Sequence, residues 1–131
     1  ALAAARRYRQ TQVHTSTRAG IIVLLYDGLV RFLAEGEAAL AHGDAGLASA
    51  PLGRAHAILA ELASTLRLEV APQLSGELLR LYDFGMHHLM LGLRSRSPER
   101  VAEVARVFAP LRDAWRQAAA AVDGQRSETR G

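Results

Sequence analysis

Apolar residues recur along this chain in four blocks at helical spacing, parted by short segments rich in Gly, Ser, Asp and Pro. The first block opens with Ser16 or Thr17 as N-cap and runs to about Ala41, with Gly43 as its stop signal. Ile21, Leu25, Gly28, Phe32 and Ala39 keep a heptad-like spacing there, and Ile22, Leu29, Leu33 and Leu40 widen the face. Asp44 caps a turn, Ser49 and Pro51 open or kink a second helix, and Leu52, Ala55, Leu59, Leu62 and Leu66 give that helix one clean stripe. Residues 69–75, with Pro72, close the second helix and lead into the third. Ser97, Pro98 and Glu99 then signal the start of a fourth, whose stripe is Val101, Val104, Phe108, Leu111, Trp115, Ala118 and Val122. Pro110 predicts a local kink in it, and residues 123–131 read as a polar, frayed tail.

The third block, residues 74–93, departs from the others. At about 100° per residue, Arg80, Asp83, His87 and Arg94 fall with Gly76 on one narrow polar strip. Leu74, Leu78, Leu81 and Leu89 form one apolar stripe, and Leu79, Tyr82, Met86, Met90 and Leu93 form a second beside it. A bundle helix ordinarily buries an apolar arc of roughly 100°. The first and third helices therefore carry more apolar surface than their own core requires. Four helices with short connections imply an all-α, antiparallel up-and-down four-helix bundle behind a short N-terminal segment, residues 1–15, in one domain spanning 1–131. The surplus surface fits two uses equally: a groove for a foreign helix, or a homodimer interface.

Composition narrows the choice of partner. The chain has 131 residues, half of them hydrophobic, with no Cys, few aromatics and no strand-like runs of Val, Ile and Thr. Its longest unbroken apolar stretch is far shorter than the roughly 18 residues of a membrane span. No signal peptide is recognisable, which makes the cytoplasm the default location. The formal charge is +3 and every basic residue is Arg. These are scattered rather than gathered on one face, and the cluster Arg6, Arg7 and Arg9 is too small for a phosphate-binding arm, so nucleic acid is not an expected partner. Asp27, Arg31 and Glu35, spaced at i,i+4, read as a solvated face.

Signals for catalysis and cofactors are poor. The chain has no P-loop, no G-x-S-x-G elbow and no H-E-x-x-H, and no Glu is followed by His three residues on, as a di-iron bundle requires. His87 and His88 point about 100° apart on a helix and do not chelate together. Asp83 and His87, one turn apart, supply two ligands with no evident third, and His56 sits on the shoulder of the second helix. The expectation is a protein that is not an enzyme and uses no metal, cofactor or small-molecule substrate.

Residues 8–28 are more specific. Tyr8, Val13, Thr15 and the block Leu25, Tyr26, Asp27 and Gly28 follow one another as in the flagellin export chaperone family, FliS, which the chain resembles. The likeness continues through Leu78, Leu81, Tyr82, Asp83 and Leu89, and then through Leu111, Arg112 and Trp115. It departs from the family pattern at Thr17, Gly85, Gly92, Leu93 and Pro110, positions that bear on local packing. The resemblance implies a cytoplasmic bundle that binds the disordered C-terminal segment of flagellin, prevents early polymerisation and hands the subunit to the export gate. It also implies that Tyr8 and Val13 lie over part of the groove when no client is bound. The client-contacting residues expected from this reading are Tyr8 and Val13, then Tyr26, Leu29 and Leu33 of the first helix. Leu79, Tyr82, Met86, Met90 and Leu93 of the third complete the set.

Overall fold

The computed structural model describes residues 17–66 and 71–130. They form four helices in chain order: α1 (Arg18–Ala41), α2 (Ala45–Ser64), α3 (Pro72–Arg94) and α4 (Pro98–Arg130). The packing is that of the expected all-α bundle. Helix α1 lies against α2 and α4, and α3 lies against the same two, so α1 and α3 are diagonal partners. The pairings run antiparallel: Gly28 faces Ile58 while Gly36 faces Leu52, and Gly85 faces Phe108 while Gly92 faces Val101.

Local chemistry sets the helix boundaries. Thr17 is the cap of α1, its Oγ1 accepting the Gly20 N–H at 2.9 Å. Gly43, at φ 77°, ends that helix in a left-handed turn in which the Asp44 N–H reaches the Ala39 carbonyl at 2.9 Å. Asp44 Oδ1 then accepts the Leu47 N–H, so α2 starts at Ala45 rather than at Ser49 or Pro51. Pro51 is a buried residue of the second turn. Helix α3 starts slightly earlier than its apolar pattern, with Pro72 in its first turn. Ser97 Oγ accepts the Arg100 N–H at 3.4 Å and opens α4 as expected.

Two features of α4 differ from expectation. Pro110 is exposed within a helix that continues on both sides of it, and the helix runs on to Arg130 where a frayed tail was expected. The Ala-rich run 118–121 and the Gln, Arg and Glu residues after it favour helix, and Gly124 alone does not stop it.

The core runs along four seams. On α2 it takes Leu52, Ala55, Leu59 and Leu62, as the single stripe predicts. On α4 it takes Val101, Val104 and Phe108, with Ala119 buried where Ala118 was expected. On α1 the innermost line is Tyr26, Leu29, Leu33, Gly36 and Leu40, and the predicted heptad Ile21, Leu25, Gly28, Phe32 and Ala39 lies to one side of it. On α3 the line is Ser75, Tyr82, Gly85, Leu89 and Gly92; Leu89 and Tyr82 are the innermost members of the two predicted stripes, whose other residues flank it. Small residues hold the seam because their neighbours are close. A methyl on Gly85 would stand 2.8 Å from the Phe108 ring, and one on Gly36 would collide with Leu52.

The polar strip of α3 is exposed at Arg80, Asp83, His87 and Arg94, as its spacing requires. The acidic and basic run on α1 is not a ladder of its own. Asp27 accepts from Arg116 of α4 at 2.7 Å, and Arg31 instead lies 4.9 Å over the Phe32 ring. His88, not His87, makes the polar contact to a neighbouring helix, at 2.6 Å from Glu103.

Candidate functional site: an apolar opening at one end of the bundle

The first turn of α1, the last turn of α2, the first turns of α3 and the distal half of α4 meet at one end of the bundle. They do not close over it. They leave a pocket of about 620 Å³ whose walls include Ile22, Leu62, Leu66, Leu74, Leu78 and Val122, with Tyr82 and Trp115 at its floor. A second, of about 590 Å³, lies alongside between α1 and α2 and is bounded by Ile21, Ile22, Leu25, Glu61 and Leu66. Leu74 is 59% exposed and Ile21 49%, more than a core position tolerates. Large apolar side chains left open around a concave surface make this end of the bundle the candidate site for an apolar partner.

Val122 of α4 forms one bank of the opening, with the first turns of α1 and α3 around it. The floor is closely packed by contrast. Tyr82 stacks on Phe108 with ring centroids 6.0 Å apart, and Tyr26 packs obliquely on both Phe108 and Trp115 at 6.3 Å. The Tyr26 and Tyr82 hydroxyls are hydrogen-bonded at 2.7 Å, which satisfies two polar atoms inside an apolar interior. Burial pushes the Tyr26 phenol above its ordinary value of 10.0, an effect partly offset by hydrogen bonds from Tyr82 and Trp115. The Tyr82 phenol is raised too, by burial first and then by its Tyr26 neighbour.

A family model described as flagellar protein FliS matches residues 1–122. The chain belongs to the FliS family. Within that family it is 30% identical over 110 residues to the flagellar secretion chaperone FliS of Campylobacter jejuni, covering 84% of this chain and 86% of the relative. It is 27% identical over 124 residues to the flagellar secretion chaperone FliS of Bacillus subtilis, covering 95% and 90%.

Set against this geometry, the residues expected to meet a client separate into groups. Tyr26, Leu29 and Leu33 are wholly enclosed, so in this conformation none of the three offers surface to a partner. Tyr82 is 2% exposed yet borders the larger pocket from below. Leu79, Met86, Met90 and Leu93 are half-buried along the flanks of α3. Tyr8 and Val13 lie outside the described residues. Of the residues that border the opening, Ile22, Leu66, Leu74 and Val122 were read as members of apolar stripes and Arg18 was not named, and none of the five was expected among the client contacts. They come from α1, the segment just past α2, α3 and α4, and a stripe read along one helix does not reveal a surface assembled across four. Among the described residues no helix is long and apolar enough to cross a membrane, and no three His, Asp or Glu are grouped to hold a metal.

Proposed function

We propose that this chain is a cytoplasmic, non-enzymatic flagellar secretion chaperone whose client is the C-terminal segment of flagellin. The segment is disordered in the free subunit and folds as an amphipathic helix into the opening at the end of the bundle. The observation that carries the reading is the pair of adjoining apolar pockets, in a chain whose relatives are named flagellar secretion chaperones. Each Leu or Ile taken fully out of water contributes roughly 1.5–3 kcal/mol, so a few such residues on either side offset the cost of ordering a short helix. Affinity reached this way is moderate, which suits a subunit that must be surrendered to the export gate. No nucleotide is needed for capture.

Tyr8 and Val13 have a place in the same proposal. Thr17 and Arg18 border the larger pocket, and Val13 precedes Thr17 by four residues. Both remain candidates for client contact.

The test is capture of flagellin with and without its C-terminal segment by the intact chain and by Ile21→Glu and Leu74→Glu variants. Both substitutions fall on exposed positions, so the fold should persist and capture should drop at least ten-fold, the scale on which a charge resists burial in apolar surroundings. Capture of truncated flagellin at full strength would refute the reading. A stable dimer in light scattering that ignores flagellin would instead assign the same surface to a homodimeric interaction module.

A further inference from the structure

The two pockets share Arg18, Ile22, Thr65 and Leu66. Along that shared ridge the Arg18 guanidinium bridges the start of α1 and the end of α2, donating to the Thr65 carbonyl at 2.9 Å. We propose that Arg18 reads charge in this mainly apolar site. A client helix lying across both pockets presents a carboxylate at the ridge, and Arg18 leaves the Thr65 carbonyl to take it. The inference rests on the chaperone reading above and specifies the client surface that reading requires.

Arg18 is not needed where it stands. The last turn of α2 is held without it, since the Ser64 and Thr65 hydroxyls donate to the Glu61 and Leu62 carbonyls at 2.7 and 2.9 Å. Thr65 N–H also reaches the Glu61 carbonyl at 3.2 Å. Thr17 caps α1 independently of Arg18. The Arg18 bond is exposed and made to a neutral acceptor, so water replaces it there at little cost.

A helix filling both pockets lies against Arg18, which lines each of them. An apolar residue at the crossing would bury a cation without an anion, which is costly. A carboxylate there accepts two parallel N–H bonds from the planar fork, about twice as strong as bonds to a neutral carbonyl. Glu61, exposed on the α2 bank of the smaller pocket, repels the same carboxylate and pushes it toward Arg18. Together the two side chains fix which edge of the client's apolar stripe is acidic, and with it the direction in which the helix lies.

The experiment is titration calorimetry of full-length flagellin against the intact chain and against Arg18→Met, Arg18→Lys and Arg18→Glu, at low and high salt. Arg18→Met should weaken binding about five- to ten-fold at low salt, and the gap should narrow as salt rises. Arg18→Glu should weaken it further and be rescued by replacing one acidic residue of the flagellin C-terminal segment with Arg. Arg18→Lys, which keeps the charge and loses the fork, should fall between. Equal or tighter binding by Arg18→Met, with unchanged salt dependence, would overturn the proposal and make Arg18 an obstruction. Absence of binding by the intact chain would reject the underlying chaperone reading instead. Thermal melts confirm that each variant is folded.

Discussion

The hydroxyls of Tyr26 and Tyr82 meet at 2.7 Å, joining α1 to α3 across the diagonal of the bundle. Each hydroxyl is the other's hydrogen-bond partner. Tyr26→Phe and Tyr82→Phe should each cost about 1–3 kcal/mol by leaving the remaining hydroxyl buried and without that bond. The double substitution should cost less than the sum of the two, as measured by denaturant unfolding.

The same pair predicts a limit at alkaline pH. Both phenols are raised above 10.0 in the folded chain, so the folded state holds protons that the unfolded state releases. Stability from this source is complete below about pH 10 and falls as pH rises beyond it. Unfolding free energy followed from neutral to strongly alkaline pH should show that decline, and the Tyr26→Phe, Tyr82→Phe double variant should show a shallower one. Equal slopes would remove the phenols from the account.

Gly85 packs a backbone where no side chain fits. Gly85→Ala should destabilise by about 1–3 kcal/mol, because the methyl meets both Phe108 at 2.8 Å and Leu59 at 3.0 Å, and the Phe108 ring is held against Tyr82. Gly53→Ala, in an exposed helical position with open space around it, should stabilise by about 0.5–1 kcal/mol. Melting temperatures moving in opposite directions would confirm the contrast.

Arg96 stands where glycine is favoured. Its φ is 53°, and the turn around it is closed by the Ser97 N–H to the Gly92 carbonyl at 2.8 Å and the Arg96 N–H to the Leu93 carbonyl at 3.2 Å. Arg96→Gly relieves a left-handed conformation that costs an L-residue roughly 1–2 kcal/mol, an effect reduced by the greater freedom of glycine in the unfolded chain. A net gain of about 0.5 kcal/mol is expected in thermal unfolding.

The helix count, the caps at Thr17, Asp44 and Ser97, and the seam of α2 were legible in the sequence because each depends on neighbours within a turn. The seams of α1 and α3 were legible only in part: Leu29, Leu33, Leu40, Tyr82 and Leu89 lie on apolar stripes that the spacing marks, but Gly36, Gly85 and Gly92 occupy core positions that a hydrophobic pattern passes over. The opening at the bundle end escaped for a different reason. Leu66, Leu74 and Val122 read as end members of three separate stripes, and only the packing of the four helices brings them around one opening. The family was legible because ordered residues such as Leu25, Tyr26, Asp27 and Gly28 carry it without any knowledge of packing.

The turn at residues 42–44 sits at the opposite pole from the pockets, at the far end of a 24-residue helix, roughly 36 Å away at 1.5 Å per residue. A dye, an affinity handle or a surface linkage placed at exposed His42 therefore leaves the mouth of the molecule clear. Anchored there, the bundle stands with its apolar opening toward the solution, the orientation in which arrival and departure of the proposed client can be watched one molecule at a time.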